Sequence, residues 1–217
     1  MKDIKVRDIK SRMTTKKFTT IKKLSDNPFL NLYGMEALTT KGKPFSYYFV
    51  SRNGEDQLKC KTGDARAEGV VIFALLKEQP EKIVLIKQYR YPLNRFIYEL
   101  PAGLIDGDES AKTAAVREMK EETGLIFELY QGGREEYRKP FFMGAGFTDE
   151  SSQTIYGYAS GTISDSFLEE SESIQVVVAD KVEATRILKE EELSIRCAYL
   201  LMHFIHSDVD KPFAFLD

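Results

Sequence analysis

Gly103-Leu-Ile-Asp-Gly-Asp-Glu109-Ser-Ala-Lys-Thr-Ala-Ala-Val-Arg117-Glu118-Met-Lys-Glu121-Glu122-Thr-Gly124-Leu125 is the stretch on which the reading of this chain turns. Its second half predicts a helix over Glu109–Thr123, with Asp108 as N-cap and Gly124 as the C-terminal stop. Ala111, Ala114, Ala115 and Met119 give that helix a small apolar face. Glu118 and Glu122 are four residues apart and stack on one side, with Glu121 beside them. Like charges at this spacing repel, and a divalent cation relieves the repulsion. Hard carboxylate oxygens suit Mg²⁺ or Mn²⁺. A solvated acidic face, neutralised in part by Lys112 and Lys120, is the competing reading of the same residues.

The loop ahead of the helix favours the metal reading. Gly103 and Gly107 permit sharp turns or close backbone approach. A tight turn there can bring a main-chain carbonyl near Ala102 beside the carboxylates as a further oxygen donor. Arg117 stands four residues before Glu121 and eight after Glu109, so it can brace both.

Outward from this segment, Val70-Val-Ile-Phe-Ala-Leu-Leu76 is a continuous apolar run and reads as a buried strand. Residues 82–87 and 96–100 read as the next strands, before Pro101 and the loop. On the amino-terminal side, 29–38 and the aromatic run 45–52 read as strands closed by a turn at Asn53-Gly54. On the carboxyl-terminal side, strands are expected near 125–133, 137–144, 153–160 and 173–179, then helices over 180–189 and 194–206. Residues 1–24 are polar and basic, either an arm or a first irregular strand. The order is not the regular βαβ alternation of a doubly wound fold. Gly132-Gly133 and Gly144-Ala-Gly146 match no phosphate-cradling loop.

The 217 residues carry 31 basic and 34 acidic side chains, a net charge of −3, which gives no reason to expect nucleic-acid binding. Two cysteines, Cys60 and Cys197, stand far apart without metal-ligand spacing, so a disulfide framework is not expected. Neither a signal-type segment nor an apolar run of membrane length is present, and the expectation is a cytoplasmic protein. His203 and His206 share a face of the last helix but have no third ligand nearby.

The segment resembles the Nudix hydrolase box. Gly103, Glu109, Arg117, Glu118, Met119, Glu121, Glu122, Gly124 and Leu125 fill its fixed positions. Lys87-Gln-Tyr-Arg90 and Glu99-Leu-Pro-Ala-Gly103, with the β-rich start, resemble the ADP-ribose pyrophosphatase branch. The resemblance implies an α/β fold: an α/β/α sandwich around a mixed sheet over 63–217, with a small β-rich subdomain over 1–62. It also implies a homodimer in which the amino-terminal regions contribute to the partner's site.

The implied chemistry is Mg²⁺-assisted hydrolysis of a nucleoside diphosphate sugar, yielding AMP and ribose 5-phosphate from ADP-ribose. GDP-mannose or another sugar nucleotide is the alternative substrate, and a non-catalytic ADP-ribose sensor the alternative class. By the same resemblance the metal would be held by Glu118, Glu122 and Glu121, with the Ala102 carbonyl, Glu99 and Glu172 as additions. The branch takes its general base from a loop, and its pattern falls on Glu170, Glu172 and Ile174, which makes Glu170 the base. Glu150 is its rival, in a region where Gly144-Ala145-Gly146 replaces the branch's Ser-Pro-Gly. Arg90 and Arg52 are candidate contacts to phosphate or terminal ribose, and Tyr33 to the base.

Overall fold

Strands that are apolar on both faces need cover on both sides, and the second half of this chain supplies it. The structure, a computed structural model, describes residues 17–217. The first part of the basic amino-terminal stretch lies outside the described residues. The described chain falls into two compact units. One comprises the residues up to Asp64 together with Phe142–Glu150; the other comprises Ala65–Phe141 and Ser151–Asp217.

The first unit is an antiparallel sheet in the order β1-β2-β3, from Phe18–Lys23, Asn31–Leu38 and Pro44–Ser51, followed by the single turn α1 (Lys59–Thr62). Tyr33 and Phe49 face each other across β2 and β3 and pack with Leu58. Val50 adds an isolated parallel bridge to Thr148, which ties the returning segment 142–150 to this unit.

The second unit is built on a mixed sheet in the order β11-β5-β4-β10-β8. Its strands are β4 (Gly69–Leu76), β5 (Gln79–Arg90), β6 (Arg95–Glu99), β7 (Ala102–Leu104), β8 (Ile126–Leu129), β10 (Ser151–Ser160) and β11 (Ile174–Ala179). A short β9 (Phe141–Phe142) lies where the chain passes between units. β10 runs parallel to β4, with Ile155 opposite Ile72, while β5 is antiparallel to β4, β6 and β11.

The apolar run of β4 is split by its pleat. Val70, Ile72 and Ala74 pack with Ala114, Ala115 and Met119 of α2 (Ala111–Thr123). Val71, Phe73 and Leu75 pack with Ala184 and Ile187 of α3 (Lys181–Glu190) and Leu201 and Phe204 of α4 (Ile195–His206). Alanines let α2 lie close to the sheet, and aromatic residues from the last segment fill the other side: Phe213 stacks on Tyr130 at 4.5 Å between centroids. His203 stacks on Phe215 at 5.0 Å. No helix among the described residues is long and apolar enough to cross a membrane.

The elements depart from expectation at their ends. The cap of α2 is Ser110, whose Oγ accepts from the Thr113 amide at 3.1 Å, and not Asp108. Glu109 precedes the helix because its carboxylate turns back to the Asp106 amide at 2.9 Å and to Arg117. The strand expected over 137–144 is reduced to the two residues of β9; the rest is irregular, following a 3₁₀ turn at Glu135–Tyr137. β7 was not anticipated; its three residues pair with β4, Ala102 opposite Val71.

Candidate active site

Three carboxylates on one helix end are kept apart by different means. Arg117 donates from Nη1 to Glu118 Oε1 and Glu121 Oε2, each at 2.8 Å. Its Nη2 donates to Glu109 Oε1 at 2.6 Å and to the Leu104 carbonyl at 2.9 Å. The guanidinium thus ties the loop to the helix, and Glu109 foremost pushes its pKa further up. Glu109 in turn is held below the usual carboxylate range by that bond and by the Asp106 amide.

Glu118 and Glu122 shift the other way. Glu122 is only 2% exposed, and burial raises its pKa well above the usual carboxylate range, with the charges of Glu118 and Glu172 adding to the rise. Its Oε2 accepts from the Ala102 amide at 2.9 Å. This bond comes from the Ala102 N–H, whereas the sequence suggested the Ala102 carbonyl as an oxygen ligand to a metal. Glu118 is raised by burial too, against the pull of Arg117. Space for its carboxylate depends on Gly103: a Cβ there would stand 1.9 Å from the Glu118 carboxyl carbon. Pairing of β7 with β4 sets Gly103 at that spot.

Glu172, half-buried in the segment between β10 and β11, bears electrostatically on both Glu118 and Glu122. Glu170, two residues earlier, is exposed. Glu99 is 5% exposed and bound to Arg90, whose Nε donates to Glu99 Oε2 at 2.5 Å. The β5–β6 hairpin therefore joins two residues that the sequence suggested for separate tasks. Arg90 also exerts a lowering pull on Glu122.

The remaining candidates belong to the first unit. Arg52 Nε and Glu150 Oε1 form an ion pair at 3.5 Å. Tyr33 is fully buried; its ring stacks on Phe49 at 5.5 Å and its hydroxyl donates to the Asn53 carbonyl at 2.9 Å. Both ring faces serve the small core, so no face is open to a base. Tyr48 and Phe29, by contrast, are exposed. Sequence reading missed the Arg90–Glu99 pair and the cap at Ser110. A Ser three residues ahead of Thr113 was a readable signal for the cap; nothing local signalled the pair.

No group of three or more His, Cys, Asp or Glu side chains stands assembled around a cation position among the described residues. The donors nonetheless fit a hard divalent cation. Glu118, half-buried, and Glu122, buried, are crowded carboxylates whose charged forms are disfavoured as they stand, and a cation would reverse that. Glu121 is the more exposed and shares Arg117.

The chain is 32% identical to an ADP-ribose pyrophosphatase of Saccharomyces cerevisiae over 125 residues, 56% of this chain and 51% of that protein. It is also 32% identical to a methanol dehydrogenase activator of Bacillus methanolicus over 128 residues, 57% of this chain and 64% of that one. The match thus spans between half and two thirds of these relatives. A crystal structure of an ADP compounds hydrolase shares the fold, with a TM-score of 0.64 at 15% identity, covering 87% of this chain and 90% of that one. The NUDIX domain family matches residues 65–199, more than half of the sequence, and on that match the chain belongs to the Nudix family.

Proposed function

We propose that this protein hydrolyses the pyrophosphate of a nucleoside diphosphate sugar, with ADP-ribose as substrate and AMP and ribose 5-phosphate as products. The observation that carries the reading is Glu122: a carboxylate 2% exposed, beside Glu118 and with its charge disfavoured, in a domain of the Nudix family. Glu118 and Glu122, with the Ala102 carbonyl, Glu121 and Glu172, would hold Mg²⁺, or Mn²⁺ in its place. The bound ion would supply charge neutralisation of the pyrophosphate and activation of water.

Arg117 keeps Glu118 and Glu121 oriented and holds the loop against the helix. Glu170 takes the proton of the attacking water as its oxygen bonds to phosphorus; the bridging P–O bond breaks, and the departing phosphate keeps the electron pair. Arg90 neutralises Glu99 and faces the substrate phosphates with its remaining N–H groups. A homodimer is the expected state; the exposed Phe29 and Tyr48 of the first unit support it.

The test is a substrate panel with Mg²⁺, scoring AMP from ADP-ribose against GMP from GDP-mannose. AMP release at the higher kcat/KM supports the proposal, and preference for GDP-mannose transfers it to the other sugar nucleotide. Binding of ADP-ribose with no cleavage of any nucleoside diphosphate derivative would leave only a sensor. In the same assay Glu170→Gln should lose far more turnover than Glu150→Gln; the reverse would move the base to Glu150.

A further inference from the structure

The segment between β10 and β11 is fastened along α2 at successive points. The Ser164 amide donates to the Thr123 carbonyl at 3.0 Å, at the end of the helix. Gly124, at φ +75, makes room for that approach: a Cβ there would meet Ser164 N at 2.7 Å. One turn back along the helix, Lys120 Nζ lies 5.0 Å from the ring centroid of Phe167. The segment then turns, with the Glu172 amide donating to the Glu169 carbonyl at 3.0 Å, and enters β11. Glu172 ends up where its charge bears on Glu118 and Glu122.

Lys120 sits between Glu118 and Glu121 in sequence, yet it is paired with no carboxylate among the described residues and extends to the phenyl ring. Phe167 is an exposed aromatic in a polar segment, where burial gives it no reason to be. An ammonium over a ring is attracted by the ring's π charge. We propose that Phe167 and Lys120 form a latch, and that Phe167 is a positioning residue which sets where Glu172 stands relative to Glu118 and Glu122. The kinetic consequence rests on the hydrolase reading; the docking does not. Release of the latch leaves the segment tied only at its ends, at Ser164 and where the Tyr89 amide donates to the Ser173 carbonyl at 3.0 Å, so the stretch between them moves more freely, the carboxylate of Glu172 samples a wider range of positions and the site is complete for a smaller fraction of the time.

The sequence contains no Trp, so Phe167→Trp introduces a single indole that reports on the latch without any assay of turnover. In that background, Lys120→Met should raise acrylamide quenching, with the docked-to-released ratio falling about two- to fivefold, and Lys120→Arg should restore it. Equal quenching with Lys, Arg and Met at position 120 would overturn the latch. With a hydrolysed substrate, Phe167→Leu should lower kcat about two- to fivefold and leave KM nearly unchanged, and Phe167→Tyr should recover it. Lys120→Met combined with Phe167→Leu should be no worse than either alone, whereas additive losses would overturn the proposal. A working latch in a protein that cleaves no nucleoside diphosphate would count against the hydrolase reading alone.

Discussion

Two helices of the second unit carry an arginine ringed by glutamates, and only one of them makes a candidate site. On α2, Arg117 binds Glu109, Glu118 and Glu121. On α3, Arg186 binds Glu183, Glu190 and Glu191. By charge count the clusters are alike. Arg186 holds Glu183 and Glu191 below the usual carboxylate range, so its cluster is satisfied as it stands. Beside Arg117, burial drives Glu118 and Glu122 the opposite way. A dense group of carboxylates is thus a surface ornament when each has its cation, and an incomplete centre when burial leaves some without one.

The sharpest break of this comparison is Glu122→Gln. Turnover should fall at least about a hundredfold, since loss of even a supporting group at a metal site costs 10- to 100-fold. In chelator the variant should melt no lower than the parent, because a buried charge has been removed. Added Mg²⁺ should raise the melting temperature of the parent but not of the variant. Glu190→Gln on α3 should change neither quantity; near-normal turnover in Glu122→Gln would erase the distinction between the helices.

Gly103→Ala comes next. Its methyl group would stand 1.9 Å from the Glu118 carboxyl carbon, so the loop or the carboxylate must shift. Overpacking of this kind costs about 1–3 kcal/mol, and urea unfolding should show it together with weaker Mg²⁺ binding. Unchanged Mg²⁺ affinity would remove Gly103 from the site.

Arginine removal separates the clusters by a smaller margin. Arg117→Ala strips the partner from partly buried carboxylates and should cost about 1–3 kcal/mol. Arg186→Ala loosens surface pairs and should cost about 0–1 kcal/mol, with turnover intact. Equal losses would mean that burial does not set the clusters apart.

The smallest perturbation is chemical. Burial pushes the Cys197 thiol up to about 12, with the nearby charge of Glu99 adding to the rise. Cys60 is exposed. A thiol reagent at pH 8 should label Cys60 in the native protein and reach Cys197 only in denaturant, because the thiolate is the reactive form. Labelling of both in the native state would show that the packing around Glu99 opens readily.

Much of the site was legible because it is local. Glu118, Glu121, Glu122 and Arg117 lie on one helix, and a fixed 3.6-residue period carries spacing directly into geometry. The apolar run of β4 announced a strand covered on both faces, which the helices on either side supply. The cap at Ser110 was misread as Asp108 because two good capping residues stood two apart, and Glu109 found better partners outside the helix.

What the sequence by itself determined is the carboxylate helix, its glycine stop at Gly124 and the family to which the chain belongs. Tertiary structure alone decided the rest. It joined Arg90 to Glu99 through a hairpin, buried Tyr33 against Phe49, returned Phe142–Glu150 to the first unit, and laid Phe167 under Lys120. Each of these depends on how strands and segments pair, or on which face of a strand is covered. No local spacing encodes either, because strand pairing and burial are settled only when the whole sheet closes on its helices.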